Sequence, residues 1–283
     1  MIYIYFYLIE YSEKKSFYKR NFLNQLIKLV DISEKLERCW EIEKADIVFT
    51  IWDFVNNSEL VGKKMVVYSL QDNSFTNQEI INNKNVLFVL DHCKSEEYNK
   101  VFCLLNISEI YKNKYQSEVL PLSDRKYDVV FMGTTRYDEK ITKHRLDVIK
   151  NIEDVCIKNN LQYYTSNVPI KYSEYMNILN NTKIFISPYG WGEFSLKEYE
   201  CICYGAHIVK PKIYFQYYPN YCENMDDFEI DFSNFESKIL GILANLGEAQ
   251  KKVDSNRKMF LDYCINKHCA ELENNIFKNI FFS

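Results

Sequence analysis

The chain has 283 residues, 47% of them hydrophobic and 26% charged, with a net charge of −4 at neutral pH. That is long enough for two α/β domains of ordinary size and apolar enough for a full core, which excludes a disordered chain. The acidic balance, with a pI near 5.7, does not point to nucleic acid as a partner.

In chain order, residues 2–8 read as a first strand. The opening MIYIYFYLIE lacks the basic flank and small-residue cleavage site of a secretion signal. It also falls short of the roughly 20 apolar residues that a membrane span needs. The run Lys14, Lys15, Lys19, Arg20 reads as a solvated helix face. Leu23, Leu26, Ile27 and Val30 recur at helical spacing, which predicts a helix over 21–38. Apolar strands follow at 46–52, 64–69 and 85–90, with a further one at 101–105. Near-continuous apolar strands separated by helix-forming stretches predict a parallel sheet covered on both faces. Ionisable groups close its strands: Asp53, Asp72 and the pair Asp91-His92. A histidine beside a carboxylate titrates near neutral pH, so His92 is the first candidate for a general base and Asp53 the second.

Residues 117–126 read as a linker, and all five prolines lie beyond residue 120. A second series follows: strand 127–132, helix 143–159, strand 161–165, helix 172–181, strand 183–187, helix 196–204 and strand 206–210. From about 234 the pattern is helical to the end. The expectation is an α/β chain of two Rossmann-like domains, 1–120 and 121–255, facing a cleft at their strand C-termini. A C-terminal helical segment, 256–283, is expected to pack back toward the first domain.

The chemistry concentrates in 183–211, KIFISPYGWGEFSLKEYECICYGAHIVKP. Of only seven glycines, Gly190, Gly192 and Gly205 fall here, where backbone must turn tightly or admit a ligand. Ser195 and Glu198 form a capping box, which gives Glu198 a structural role. Glu193 stays in the loop at the helix mouth, while Lys197 and Glu200 share a helix face. Free N–H groups and the positive dipole end make a seat for phosphate. A comparable turn, Gly133-Thr134-Thr135-Arg136, closes strand 127–132, and Arg136, Lys140 and Arg145 supply cations for a diphosphate. His207 reads as a core or hydrogen-bonded residue and His144 as a helix-start residue facing water. Asp226, Asp227, Glu229 and Asp231 read as a solvated acidic loop. Of the nine cysteines, Cys201 and Cys203 read as small core residues. Cys264, His268 and Cys269 lack a zinc-type partner pair.

Over residues 127–221 the chain resembles the GT-B glycosyltransferases, especially the bacterial group 1-like enzymes. Gly190-Trp191-Gly192-Glu193 matches the first part of their donor signature and Glu198-Tyr199-Glu200 the second. Cys201 stands in place of the usual alanine, and Gly205-Ala206-His207-Ile208-Val209-Lys210-Pro211 closes the motif. The resemblance implies transfer of a sugar from a nucleotide-diphosphate donor to a hydroxyl of a glycan or lipid-linked acceptor. It places the donor on Gly133, Thr134, Arg136, Arg145, Gly190, Trp191, Gly192, Lys197 and Glu200, with Glu200 holding the ribose hydroxyls. His92, Asp53 and Glu193 are the catalytic candidates. Retaining members carry two glutamates seven residues apart in between; here six residues separate Glu193 from Glu200, so the stereochemistry stays open. No Asp-x-Asp occurs, and the expectation is a metal-independent enzyme with no cofactor. It is expected in the cytoplasm, with peripheral contact to the inner membrane face, in surface polysaccharide or glycoconjugate synthesis. A nicotinamide-dependent enzyme is disfavoured because the first strand runs into Ile9-Glu10-Tyr11-Ser12 without a glycine. A non-catalytic nucleotide- or glycan-binding relative is the alternative.

Overall fold

The computed structural model describes residues 2–7, 36–51, 56–68, 82–91, 93–94, 101–103, 114–190, 193–213, 216–217 and 220–262. The chain divides into two compact units, one on residues 1–110 with 215–218 and one on 111–214 with 219–262. The first holds β1 (Ile2–Phe6), β2 (Leu36–Cys39), β3 (Ile47–Ile51), β4 (Met65–Tyr68), β5 (Val86–Asp91), β6 (Cys93–Lys94) and β7 (Val101–Cys103). Its six-stranded sheet runs β2-β1-β3-β4-β5-β7, and all five pairings are parallel. Ile47, Val48 and Phe49 are consecutive and all buried. Neighbouring strand residues point to opposite faces, so both faces of this sheet are covered, as its apolar runs predict.

The expected helix 21–38 differs at its end, where Leu36–Cys39 is a strand paired in parallel with β1. A ladder of backbone hydrogen bonds to a neighbouring strand outweighs the weak helical propensity of four residues. The remainder of that helix lies outside the described residues.

The second unit is a five-stranded sheet of order β13-β11-β10-β8-β9, parallel throughout. Its strands are β8 (Tyr127–Met132), β9 (Tyr163–Ser166), β10 (Thr182–Ile186), β11 (His207–Pro211) and β13 (Asp226–Phe228). Within the first unit, to which residues 215–218 belong, the two-residue strand β12 (Gln216–Tyr217) pairs antiparallel with β6. The helices are α1 (Glu139–Lys158), α2 (Tyr172–Asn180), α3 (Leu196–Tyr204), α4 (Phe235–Ala244) and α5 (Leu246–Phe260). Val129, Phe131, Ile184, Ile186 and Val209 of the sheet form one core with Val148 and Ile152 of α1 and Val253 of α5. α1 starts earlier than the expected residue 143, because Asp138 caps it by accepting from the Ile141 N–H at 2.9 Å. The described end of the expected 256–283 segment belongs to α5, where Phe260 stacks on Tyr115; residues 263–283 lie outside the described residues.

The stretch expected as a linker is packed instead. Leu122 is buried, and Arg125 is 3% exposed. The Arg125 guanidinium donates to the carbonyls of Leu120 at 2.8 and 2.9 Å, Thr182 at 2.9 Å and Tyr204 at 3.0 Å. Burial, with Arg257 nearby, lowers its pKa to about 10, so it remains a cation at neutral pH. Gly205 caps α3 with φ at +68°, and a Cβ there would meet Arg125 Nη2 and Val119 Cγ2 at 2.9 Å. The glycine is thus required by backbone conformation and by space. Arg125→Met is expected to destabilise the chain by about 3 kcal/mol, because it strips partners from buried carbonyls. Urea denaturation checks this, and an unchanged midpoint refutes it.

The acidic loop is also corrected in part. Asp227, Glu229 and Asp231 are exposed as expected, but Asp226 begins β13 and is a structural anchor. Its carboxylate meets His207 Nε2 at 2.8 Å and accepts from Lys252 Nζ at 2.7 Å. The His207 hydrogen bond, with Lys252 assisting against burial, holds this carboxyl well below the usual carboxylate range. His207 therefore has the hydrogen-bonded core role expected of it. His144 does not simply face water: its ring lies 5.8 Å from both Tyr189 and Phe232. Burial and the adjacent Arg145 push its pKa down.

Candidate functional site

The chain leaves β8 for β9 on one side of the sheet and returns to β10 on the other, so strand order reverses between β8 and β10. Ligands of open α/β sheets bind beyond the strand C-termini at such a point. Here β8 ends in Met132-Gly133, β10 ends in Ile186-Ser187, and α3 starts from the loop that follows.

The start of α3 is fixed by the expected capping box, with both of its arms present. The Glu198 carboxylate accepts from the Ser195 N–H at 2.8 Å and from the Ser195 hydroxyl at 2.6 Å. It also accepts from Ser187 Oγ at 2.8 Å and from Lys210 Nζ. Both Glu198 and Lys210 are 1% exposed. Burial pushes the Glu198 carboxyl up, but the Lys210 ammonium and the serine hydrogen bonds outweigh it and hold the group ionised. One side chain thereby ties the C-terminal end of β10, the N-terminus of α3 and strand β11 together. A lysine inside the apolar strand HIVKP was the sequence signal for this pair, since a buried lysine needs a partner.

With α3 held this way, Lys197 reaches across to the end of β8, where its Nζ donates to the Met132 carbonyl. Arg145 of α1 approaches the same point. A Cβ on Gly133 would collide with Lys197 Nζ and lie 2.8 Å from Arg145 Nη2. Gly133 is therefore the floor on which both cations converge. Arg145 is 4% exposed and donates through Nη1 to the Tyr189 carbonyl at 2.9 Å. Its guanidinium lies 5.5 Å from the centre of the Phe131 ring and 4.9 Å from that of Tyr137. Its Nε is buried without a hydrogen-bond partner. Gly190 lies alongside, where a Cβ would come within 3.4 Å of Tyr137 Oη and 3.6 Å of Arg145 Nη1.

The electrostatics are those of an anion seat. Burial, and then Arg145, push the Lys197 pKa down to about 8; burial likewise lowers that of Arg145. Among the described residues neither forms an ion pair with a carboxylate. A buried guanidinium beside a half-buried ammonium, neither ion-paired with an acid, favours a ligand carrying the missing negative charge.

Glu200, one turn along α3 from Lys197, is held differently. Its Oε2 accepts from Tyr175 Oη at 2.8 Å, and Lys114 Nζ stands 3.6 Å from its Oε1. Burial raises its pKa, against the pull of Tyr175, Lys114 and Lys197.

The other expected residues are placed as follows. Thr134 and Arg136 lie on the exposed turn after Gly133, the Thr134 Oγ1 accepting from the Arg136 N–H at 3.0 Å. Arg136 and Lys140 are exposed and stand apart from the Lys197–Arg145 pair. Glu193 is half-buried in the loop before α3. Trp191, Gly192, His92, Asp53 and Asp72 lie outside the described residues. Lys114, Tyr137 and Tyr175 carried no sequence signal of their own; each is an ordinary lysine or tyrosine until the fold brings it to the site. Among the described residues no group of three His, Cys, Asp or Glu side chains could hold a metal ion. No described helix is long and apolar enough to cross a membrane.

No protein-family model and no curated protein sequence matches the chain. Solved structures do match in fold. The pneumococcal O-GlcNAc transferase GtfA, in complex with UDP and GlcNAc, aligns over 93% of this chain at 10% identity with a TM-score of 0.56. TarM aligns over 82% at 14% identity and a TM-score of 0.54. An α-glucosyltransferase in complex with UDP and DNA containing an HMU base aligns over 98% at 10% identity and a TM-score of 0.52. The chain spans 54% of TarM, 60% of GtfA and 99% of the α-glucosyltransferase. The chain thus has the GT-B glycosyltransferase fold, an α/β architecture with two parallel sheets.

Proposed function

We propose that the chain is a glycosyltransferase that draws its sugar from a nucleoside-diphosphate donor. The observation that carries this is the convergence of Lys197 and Arg145 on Gly133, beside the N-terminus of α3. A diphosphate seated there meets two cations and free helix N–H groups. When the glycosidic bond to the donor breaks, negative charge gathers on the departing phosphate. Lys197 and Arg145 are already in place for it and need no reorganisation, which favours the transition state over the ground state. In this scheme those side chains do the work of a bound cation, so the reaction is metal-independent. Glu200, one turn away, accepts the ribose hydroxyls.

The α-glucosyltransferase and GtfA complexes contain UDP, which supports a uridine nucleotide as the first donor to test. The former complex also contains DNA. For this chain the net charge of −4 weighs against nucleic acid, and the acceptor is assigned to a glycan or lipid-linked hydroxyl, in surface polysaccharide or glycoconjugate synthesis at the inner membrane face. The acceptor base is assigned to His92 or Asp53 of the first unit, with Glu193, in the loop before α3, as the third catalytic candidate. A non-catalytic binder is the second reading, favoured by the spacing of Glu193 and Glu200. Transfer or hydrolysis of the donor separates the two.

Calorimetric titration with UDP, GDP and ADP tests the donor site. One of them is expected to bind, and Glu200→Ala is expected to weaken that binding about tenfold through loss of charge-assisted hydrogen bonds. A flat response to the whole panel would overturn the proposal.

A further inference from the structure

A carboxylate that must grip a vicinal diol has demanding requirements: it has to be ionised, so that both oxygens accept, and its plane has to be fixed. Glu200 sits where neither is automatic. Its side chain is 12% exposed, and burial pushes its carboxyl toward the neutral form. A protonated Glu200 would offer one donor and lose the symmetric acceptor pair.

Two side chains from outside α3 counter this. Tyr175 of α2 is 8% exposed and donates its hydroxyl to Oε2 at 2.8 Å. Lys114 sets its ammonium 3.6 Å from Oε1, one partner on each oxygen. They are themselves tethered: the Tyr172 and Tyr175 rings stack at 6.3 Å, and Lys114 Nζ lies 4.9 Å from the centre of the Tyr172 ring. Each ionised carboxylate oxygen has two lone-pair sites, so it can keep its protein partner and still accept one ligand hydroxyl. The geometry points to Tyr175 and Lys114 as positioning residues that hold Glu200 for a ribose diol and thereby select ribonucleotides over 2′-deoxyribonucleotides. This inference rests on the donor-site reading above and adds to it a specificity that the cations cannot supply, because Lys197 and Arg145 meet phosphate and not sugar.

The test is calorimetric titration of the full chain with UDP, GDP and ADP, each beside its 2′-deoxy counterpart and its monophosphate. The unsubstituted protein is expected to bind its preferred ribonucleoside diphosphate about tenfold tighter than the deoxy form, the size of one hydrogen bond to a charged acceptor. Tyr175→Phe keeps the ring that packs and removes only the hydroxyl. It is expected to shrink that ratio to about threefold or less, while the preference for diphosphate over monophosphate stays unchanged. Lys114→Gln, at a less buried position, is expected to act in the same direction and stands in should Tyr175→Phe fail to fold. A purely structural role would weaken all ligands alike and leave the ratio where it was. An unchanged ribose-to-deoxyribose ratio in both variants overturns the inference and leaves the donor-site reading intact, whereas no discrimination in the unsubstituted protein overturns the inference together with the ribose role of Glu200 and leaves the phosphate seat of Lys197 and Arg145 standing. Failure of every diphosphate to bind the unsubstituted protein overturns both.

Discussion

Glu198→Ala is expected to destabilise the protein by about 3–5 kcal/mol, far more than the roughly 1 kcal/mol typical of a lost helix cap. The excess comes from Lys210, which is 1% exposed and would be left as a buried ammonium without its counter-ion. Removing one member of a buried pair leaves the desolvation cost of the other uncompensated. The double variant Glu198→Leu/Lys210→Met removes both charges and is expected to recover most of the loss, apart from the cap. Urea denaturation of the full chain measures both, and a cost for Glu198→Ala no larger than a cap would show that the pair is not essential. The pH dependence has a definite sign. Because the folded protein holds the Glu198 carboxyl below its ordinary value, its contribution is complete above the usual carboxylate range. It is lost as pH falls through the lowered folded value.

The second large effect is expected at Gly133, on ligand binding and not on folding. The atoms that a new Cβ would meet are the tips of Lys197 and Arg145. These long side chains can swing aside, so Gly133→Ala is expected to fold with a nearly unchanged denaturation midpoint. Their displacement takes both cations out of the phosphate seat together. Loss of charge-assisted hydrogen bonds from two cations predicts a fall of about a hundredfold in nucleoside-diphosphate affinity, or ~2.7 kcal/mol. Titration with UDP checks this. Tight binding by a folded Gly133→Ala protein would show that the diphosphate sits elsewhere.

These substitutions separate two uses of the same helix. Glu198 faces inward and determines where α3 lies; Lys197 and Glu200 flank it and, in the proposed reaction, address phosphate and ribose. The buried ion pair is costly to assemble in a low-dielectric interior, and its gain is positional: the N-terminus of α3 is locked to two strands at the ligand-facing end of the sheet. An active site built on such rigid elements holds its donors without reorganisation.

Much of the second unit was legible from the chain alone. Strand 127–132, helix 196–204 and the Ser195/Glu198 capping box all stand where local pattern put them. Each depends on interactions a few residues long: apolar continuity, helical spacing, and a serine three residues before a glutamate. The misreadings have the opposite character. The apparent linker at 117–126 is polar in composition, yet Arg125 is drawn inward to a carbonyl on Tyr204, 79 residues away. The acidic stretch after 225 reads mainly as solvated, but Asp226 meets His207 from across the sheet edge.

Composition and short-range pattern by themselves determined the α/β class, the run of strands and helices, and the glycine-bounded loop where a ligand would be met. Only the tertiary structure decided which charges oppose one another. Lys210 finds Glu198 across 12 residues and Tyr175 finds Glu200 across 25, separations at which no periodicity survives. A buried polar side chain takes as its partner whatever group the packing of strands and helices brings within hydrogen-bond reach, and that geometry exists only once the sheet has formed.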